Sequence, residues 1–81
     1  MHEIPIEDSL DLHTFQPGDI KVAVEEYLFQ AVQRRFQEIR IIHGRGVGVQ
    51  REIVHSILSK HPNVIAFRDA DDRGSTFVRL R

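Results

Sequence analysis

The sequence predicts a two-layer α/β sandwich, in which a four-stranded mixed sheet carries two helices on one face. Apolar residues recur three and four positions apart within residues 20–32 and again within residues 49–60, as in helices with one buried stripe. Short apolar runs of strand length precede, separate and follow these stretches. The last two runs flank a polar segment at residues 69–75, which indicates an antiparallel hairpin. The predicted order of elements is therefore βαβαββ.

The first strand is predicted at residues 10–13, where apolar and polar side chains alternate. The alternation places Asp11 and His13 on one face of the strand, opposite the two leucines. The second strand is predicted over Glu38–His43, which is rich in isoleucine. Right-handed crossovers make these two strands parallel and, if the strand order advances in one direction, place both helices on the same face of the sheet.

The first helix is predicted to contain Pro17 in its first turn and to end around residues 34–36. Asp19 suits the positive end of its dipole. The second helix is predicted over Val49–Lys60 and ends before Pro62, because proline cannot continue a helix. The side chains expected to be among the most buried are Leu12, Val24, Leu28, Ile41, Ile53, Ile57 and Phe67.

The remaining strands are predicted at Val64–Phe67 and Thr76–Leu80. With 81 residues, the chain forms one domain, 1–81, with a core over about residues 10–80. This length is near the lower end of what a single hydrophobic core supports.

The composition excludes several classes of protein. An apolar fraction of 41% and a charged fraction of 28% are ordinary for a globular domain. The sequence has no cysteine, which excludes disulfides, thiolate zinc sites and a cysteine nucleophile. It has no apolar run long enough to cross a bilayer, and its acidic start does not resemble a signal peptide. We expect a cytoplasmic location and no membrane partner.

Charge is distributed unevenly along the chain. Residues 1–33 contain one basic and seven acidic residues, a charge of −6, and residues 34–81 contain ten basic and five acidic residues, a charge of +5. The basic half could serve a polyanionic partner, although an ordinary solvated surface explains the charge equally well.

A candidate site lies where the first two strands end. Because ligands of open α/β sheets bind outside the carboxyl ends of the strands, His13 and His43 are expected at one binding edge. The second strand leads into a loop with Gly44, Gly46 and Gly48, where bare backbone can approach a phosphate closely, and then into a helix N-terminus. Arg45 could add a charge-assisted contact. Such a glycine-rich turn alone is equally compatible with a purely structural role.

The other histidines carry less information. His2 lies near the terminus, His55 is expected in solvent off the apolar stripe, and His61 is expected to cap the second helix. The spacing of the histidines matches no metal-binding motif, so we assign no metal, and the sequence identifies no cofactor. It also shows no aromatic platform on which single-stranded nucleic acid would stack.

Two motifs together resemble those of the small MutS-related (Smr) domain family. Leu10-Asp11-Leu12-His13 is similar to the family's Leu-Asp-Leu-His motif, and His43-Gly44-Arg45-Gly46-x-Gly48 to its His-Gly-Lys-Gly-x-Gly motif. The resemblance extends from about Leu10 to Leu80. Thr14 replaces the usual glycine and Arg45 the usual lysine. Asp71-Asp72-Arg73-Gly74-Ser75-Thr76 occupies the place of Gly-Gly-x-Gly-x-Thr.

The resemblance implies a βαβαββ sandwich similar to the C-terminal domain of translation initiation factor 3. It also implies binding of DNA or RNA and, for some members, a nicking endonuclease activity. By position it assigns Asp11, His13 and His43 to the active site. The binding residues that it implies are Gly44, Arg45, Gly46, Gly48, Arg51, Gly74 and Thr76. Arg73, which we also expect among the nucleic-acid-binding residues, could neutralise the two acids that replace the paired glycines.

Three hypotheses follow. In the first, the domain binds nucleic acid and has nuclease potential, with His13 and His43 dividing the acid and base roles and Asp11 orienting His13 or holding a divalent ion. In the second, the glycine-rich loop binds phosphate or a partner protein, and the domain has no catalytic activity. In the third, the chain is an interaction domain that uses the open face of its sheet. The sequence does not predict an oligomeric state.

Overall fold

The computed structural model describes residues 7–44, 48–72 and 74–81. The predicted βαβαββ order is confirmed. The elements are β1 (Ser9–Asp11), α1 (Pro17–Gln33), β2 (Glu38–Ile42), α2 (Val49–Lys60), β3 (Val64–Asp69) and β4 (Ser75–Leu80). Neither helix within the described residues has the length and apolar character that a bilayer span requires.

The four strands form one mixed sheet in the order β1-β2-β4-β3. β1 and β2 are parallel, and β4 pairs antiparallel with both β2 and β3, so the predicted parallel pair and hairpin are confirmed. Because β4 lies between β2 and β3, the start of β4 is next to the ends of both neighbours. Thr76, the second residue of β4, is paired with Ile41 on one side and Asp69 on the other.

Both helices have the predicted limits. α1 has Pro17 at its start, Asp19 in its first turn and Arg34 as its C-terminal cap. α2 ends at Lys60, and the next residue, His61, is its cap. The backbone N–H of His61 donates to the Leu58 carbonyl, so the predicted capping role is confirmed, and the Nδ1 atom of its ring accepts a hydrogen bond from the backbone N–H of Asn63 at 3.1 Å.

The core lies between the helices and one face of the sheet. Its buried apolar side chains include Leu12, Val24, Leu28 and Ile41, as predicted, together with Ile20, Tyr27, Ala31, Ile39, Val54, Leu58, Val78 and Leu80. Ile53, Ile57 and Phe67 are only partly buried, so the prediction for these three is wrong. In α2 the row formed by Val54 and Leu58 faces the sheet, while Ile53 and Ile57 line a groove between the helices.

Candidate functional site

The carboxyl ends of β1 and β2 lie side by side, as predicted. Asp11 is paired with Ile42, and the N–H of Leu12 donates to the Ile42 carbonyl at 2.7 Å. His13 and Gly44 follow these strand ends, and a Cβ atom placed on Gly44 would lie 3.8 Å from the His13 Cβ. The backbones that carry His13 and His43 therefore meet at one edge of the sheet.

Asp11 holds His13 at this edge. One carboxylate oxygen, Oδ1, accepts the His13 backbone N–H at 3.0 Å and lies 2.5 Å from the ring atom Nδ1. These two bonds, the backbone one first, lower the pKa of Asp11, so the carboxyl is ionised at neutral pH. An ionised carboxylate only accepts, so Nδ1 of a neutral His13 carries the proton and Nε2 carries the lone pair. The ring is 61% exposed, which leaves a basic nitrogen accessible.

His43 has a different environment. Only 3% of the residue is exposed. Its Nδ1 donates to the Gly44 carbonyl at 3.1 Å, so in the neutral ring Nε2 accepts from the Thr76 hydroxyl at 2.9 Å. Leu12, Ile41 and Val78 are core residues, so His43 and Thr76 face the helices, whereas Asp11 lies on the opposite face. The burial of the His43 ring therefore argues against the hypothesis that His13 and His43 divide the acid and base roles at one phosphate.

Thr76 joins His43 to a second histidine that the sequence did not identify as part of the site. The Nε2 atom of His55 lies 3.0 Å from the Thr76 hydroxyl and 3.1 Å from Oδ1 of Asp69. The Thr76 hydroxyl also lies 3.3 Å from Oδ1 of Asp69, but its one proton is assigned to the nearer His43 Nε2, so the Nε2–H of His55 is the donor to both oxygens. Arg51 in turn donates to both carboxylate oxygens of Asp69. The result is a continuous hydrogen-bonded chain from α2 through β3 and β4 to β2.

The expectation that His55 lies in solvent is wrong. Its side chain is 23% exposed and packs edge-on against Phe67, with ring centroids 5.0 Å apart. Burial, followed by the charge of Arg51, lowers the pKa of His55 and favours the neutral ring. His55 precedes the buried Leu58 by three residues, and this spacing is the signal that places both on one helix face.

We also considered a metal site formed by His43, His55 and Asp69, since imidazole and carboxylate are common ligands of transition metals. One potential ligand atom from each lies within 4.8 Å of the others. However, Thr76 and Arg51 already satisfy these atoms, and the described part of the chain contains no buried side-chain nitrogen or oxygen without a partner. The cluster is therefore complete as a hydrogen-bonded network and does not require a cation.

The glycine-rich loop is described at its two ends. Gly44 and Gly48 have φ angles of 88° and 85°, a left-handed conformation that glycine adopts without strain, and Gly48 is the N-cap of α2. The N–H groups of His43 and Gly44 both donate to the Gly74 carbonyl, at 3.0 and 2.9 Å. The Gly44 amide therefore holds the β4 loop instead of facing open space. Arg45 and Gly46 lie outside the described residues.

Residues 71–76, which stand at the place of the family's Gly-Gly-x-Gly-x-Thr and are called here the third motif, also form contacts within the chain. Oδ1 of Asp72 accepts the N–H of Gly74 at 2.9 Å, and Oδ2 lies 3.3 Å from the Arg40 guanidinium. Thr76 has no exposed surface. Arg73 lies outside the described residues. Asp72 therefore closes the loop before β4, which accounts for an acid at a position where the family motif has glycine.

Comparison with known proteins identifies relatives across nearly the whole chain. The model of the Smr domain matches residues 10–81. The chain is 33% identical to the endonuclease MutS2 of Caldicellulosiruptor saccharolyticus over 85 residues, which cover all of this chain and 11% of that protein. It is 36% identical to the endonuclease MutS2 of Staphylococcus saprophyticus over 64 residues, which cover 79% of this chain and 8% of the relative. The chain thus spans about a tenth of these proteins.

Two solved structures have the same fold. The Smr domain of Thermus thermophilus MutS2 superimposes with a TM-score of 0.85 and 27% identity, covering 90% of this chain and 96% of that one. YdaL, a stand-alone small MutS-related protein from Escherichia coli, superimposes with a TM-score of 0.88 and 25% identity, covering 98% of this chain and 68% of YdaL.

Proposed function

Since this chain belongs to the Smr domain family, we propose that it binds nucleic acid and nicks it at the edge that carries His13. The observation that carries this proposal is the Asp11–His13 pair, an exposed imidazole oriented by an ionised carboxylate. The MutS2 relatives named above are endonucleases, which supports the same class of reaction. Because the chain spans about a tenth of their length, their activity is transferred to it here as a proposal.

In the proposed mechanism His13 is the general base. Its Nε2 atom removes a proton from water or from a nucleic-acid hydroxyl as that oxygen attacks the phosphorus. The bond from phosphorus to the leaving ester oxygen breaks, and that oxygen takes a proton from solvent. Asp11 keeps Nδ1 protonated, so the lone pair stays on Nε2, and it stabilises the imidazolium that forms. A positioned base of this kind contributes about 10²- to 10⁴-fold to a reaction rate.

The glycine-rich loop supplies the phosphate contact in this proposal. Arg45 provides a guanidinium that can form two parallel hydrogen bonds to a phosphate. Gly46 and Gly48 carry no side chain, so a phosphate can come close to the backbone at the positive end of the α2 dipole. The role of Arg45 and Gly46 rests on their position in the motif between two glycines, Gly44 and Gly48, that have left-handed backbones.

We assign His43 a positioning role instead of proton transfer. Both of its ring nitrogens have partners, and the ring is buried. Together with Thr76 and Gly74 it fixes the glycine-rich loop against β4. Arg51, which resembles a phosphate-binding residue by position, is paired with Asp69 and supports the same network.

The alternative function is binding without cleavage. It is favoured by the occupied Gly44 amide, the buried Thr76 hydroxyl and the acids in the third motif, which leave fewer groups for a reacting phosphate.

Equilibrium binding and cleavage should be measured in parallel on branched DNA, duplex DNA and RNA. The proposal predicts salt-dependent binding, a shallower salt dependence for Arg45→Ala, and nicking of at least one substrate. Binding without nicking supports the alternative, and the absence of binding contradicts both.

A further inference from the structure

The open face of the sheet, opposite the helices, carries an aromatic ring between two arginines. Strand register places Arg40 of β2 and Arg68 of β3 directly beside Phe77 of β4. The guanidinium carbons of Arg40 and Arg68 lie 5.4 and 4.8 Å from the centre of the Phe77 ring. We call these three residues the Phe77 row. Residues on either side of Phe77 in β4, Thr76 and Val78, are buried toward the helices, so the row faces away from the core.

Arg79 extends this surface. It lies two residues along β4 from Phe77, beside Ala66 of β3, and borders a shallow groove of about 290 Å³ that Arg68 and Phe77 also line. Three acids, Asp8, Glu38 and Asp72, lie beside the three arginines, so the charges of this surface balance. Asp72 pairs with Arg40, and within the described residues no acid lies within ion-pair distance of Arg68 or Arg79. Two guanidiniums are therefore available to an anion.

The chemistry of the Phe77 row matches single-stranded nucleic acid. The sequence showed no aromatic platform for such a strand, because the row forms only when β4 lies between β2 and β3. Guanidinium planes and aromatic rings are both surfaces on which unpaired bases stack, and free guanidiniums pair with phosphates. Neighbouring strands are about 4.8 Å apart, so Arg40 and Arg68, two strands apart, bracket a width of about 10 Å. A duplex keeps its bases stacked inside and cannot use an aromatic surface in this way.

The surface also leads toward the proposed active edge. Ser9 of β1 is paired with Arg40, and Asp11 follows two residues later on the same face of the sheet. Asp11 is the residue that holds the exposed His13 ring. A strand lying across the Phe77 row can therefore continue along β1 and β2 to His13 without crossing to the helix side.

We propose that the Phe77 row, together with Arg79, is a binding surface for single-stranded nucleic acid that guides a strand to His13. This proposal rests on the proposed nucleic-acid binding and adds the substrate class and the face that binds it. It differs from the loop site because none of its residues belongs to the glycine-rich motif.

The chain contains no tryptophan, so Phe77→Trp introduces a single fluorescent reporter on the open face. Titration with a fluorescently silent ten-nucleotide poly-dT or poly-U strand is expected to quench it, with the same midpoint as an independent anisotropy measurement. Phe29→Trp is the matched control, because Phe29 is 56% exposed on α1, away from the sheet. Its fluorescence should not change.

Arg68→Ala and Arg79→Ala provide a second test that does not depend on the Phe77 substitution. Each should weaken binding of the single strand about fivefold or more, and binding of a duplex less than twofold. Arg34→Ala, which removes an exposed arginine at the end of α1, should leave both affinities unchanged. Thermal unfolding of each variant checks that the fold is retained.

The outcomes separate this proposal from the proposed function. If the wild-type chain binds no nucleic acid, both fail. If it binds, but Phe77→Trp is not quenched and Arg68→Ala and Arg79→Ala have wild-type affinity, the surface is overturned and the loop site stands. Equal losses for single-stranded and duplex ligands would also overturn the assignment to single strands.

Discussion

His13 and Asp11 form two hydrogen bonds to each other through one oxygen atom. Oδ1 of Asp11 contacts the His13 ring at 2.5 Å and the His13 backbone N–H at 3.0 Å. The second bond fixes the main chain just beyond β1, so the ring is oriented by the strand and not by its rotamer alone. This pair is the feature on which the proposed chemistry depends.

Asp11→Asn tests the orientation of His13. The amide is neutral, so it neither selects the Nδ1 proton as strongly nor stabilises an imidazolium, while its oxygen can still accept the backbone N–H. We expect nicking to fall about 100-fold or more with nucleic-acid affinity unchanged. Single-turnover rates at saturating protein measure the first quantity and fluorescence anisotropy the second. A variant that retains the wild-type rate would show that the carboxylate has no part in the reaction.

Thr76 is predicted to be the central stabilising hydroxyl of the polar network. Thr76→Val keeps the shape of the side chain but leaves the buried Nε2 atom of His43 without a partner and leaves His55 with Asp69 alone, which should cost about 1–3 kcal/mol. Thr76→Ser keeps the hydroxyl and loses one methyl group, which should cost about 1 kcal/mol. Urea unfolding gives both values. If valine were as well tolerated as threonine, the hydrogen bonds to the two histidines would not contribute to stability.

His55 makes the stability of the fold depend on pH. Its pKa is lowered from the ordinary value of 6.5, so the unfolded chain binds a proton that the folded chain resists. The corresponding stability is fully present above pH 6.5 and decreases as the pH falls below that value toward the folded-state pKa.

His55→Gln should flatten this decrease. The lowered pKa values of Asp11 and Asp69 contribute stability that is present above pH 3.8 and is lost as the pH falls below that value, which is a separate window. Urea unfolding midpoints between pH 5 and 8 provide the measurement. Equal slopes for wild type and His55→Gln would contradict the assignment.

Gly44 is expected to tolerate no side chain without strain. Its φ of 88° is unfavourable for other residues, although a Cβ there would meet only His13 Cβ, at an ordinary distance of 3.8 Å. Gly44→Ala should therefore cost about 1–2 kcal/mol through the backbone and not through a clash. Gly18→Ala, in the first turn of α1 with open space around it, is the control and should be neutral or stabilising. Thermal unfolding distinguishes the two, and equal effects would contradict the strain at Gly44.

The sequence was sufficient to predict the element order, the helix limits and the shared edge of β1 and β2, because these follow from periodicity and capping. It could not determine which of two adjacent rows of α2 faces the sheet. Ile53 and Val54 are both apolar, and a rotation of one residue exchanges the exposed and buried rows. The prediction that His55 lies in solvent was wrong for the same reason.

The position of β4 was the other unknown. Its insertion between β2 and β3 brings Thr76 between His43 and Asp69, and it brings Phe77 between Arg40 and Arg68. A motif identifies which residues belong to a site, but only the sheet order shows which face each one occupies. For this reason Thr76 and His43, assigned to the site by resemblance, belong to a buried network.

His13→Ala tests the central claim most directly. Supercoiled plasmid should be incubated with wild type, His13→Ala and the control His61→Ala, and the nicking rates compared with oligonucleotide affinities measured on the same preparations. The account predicts that His13→Ala abolishes nicking while its affinity stays within about twofold of wild type, since a general base contributes about 10²- to 10⁴-fold to rate and not to binding. A His13→Ala protein that nicks plasmid at the wild-type rate would contradict it.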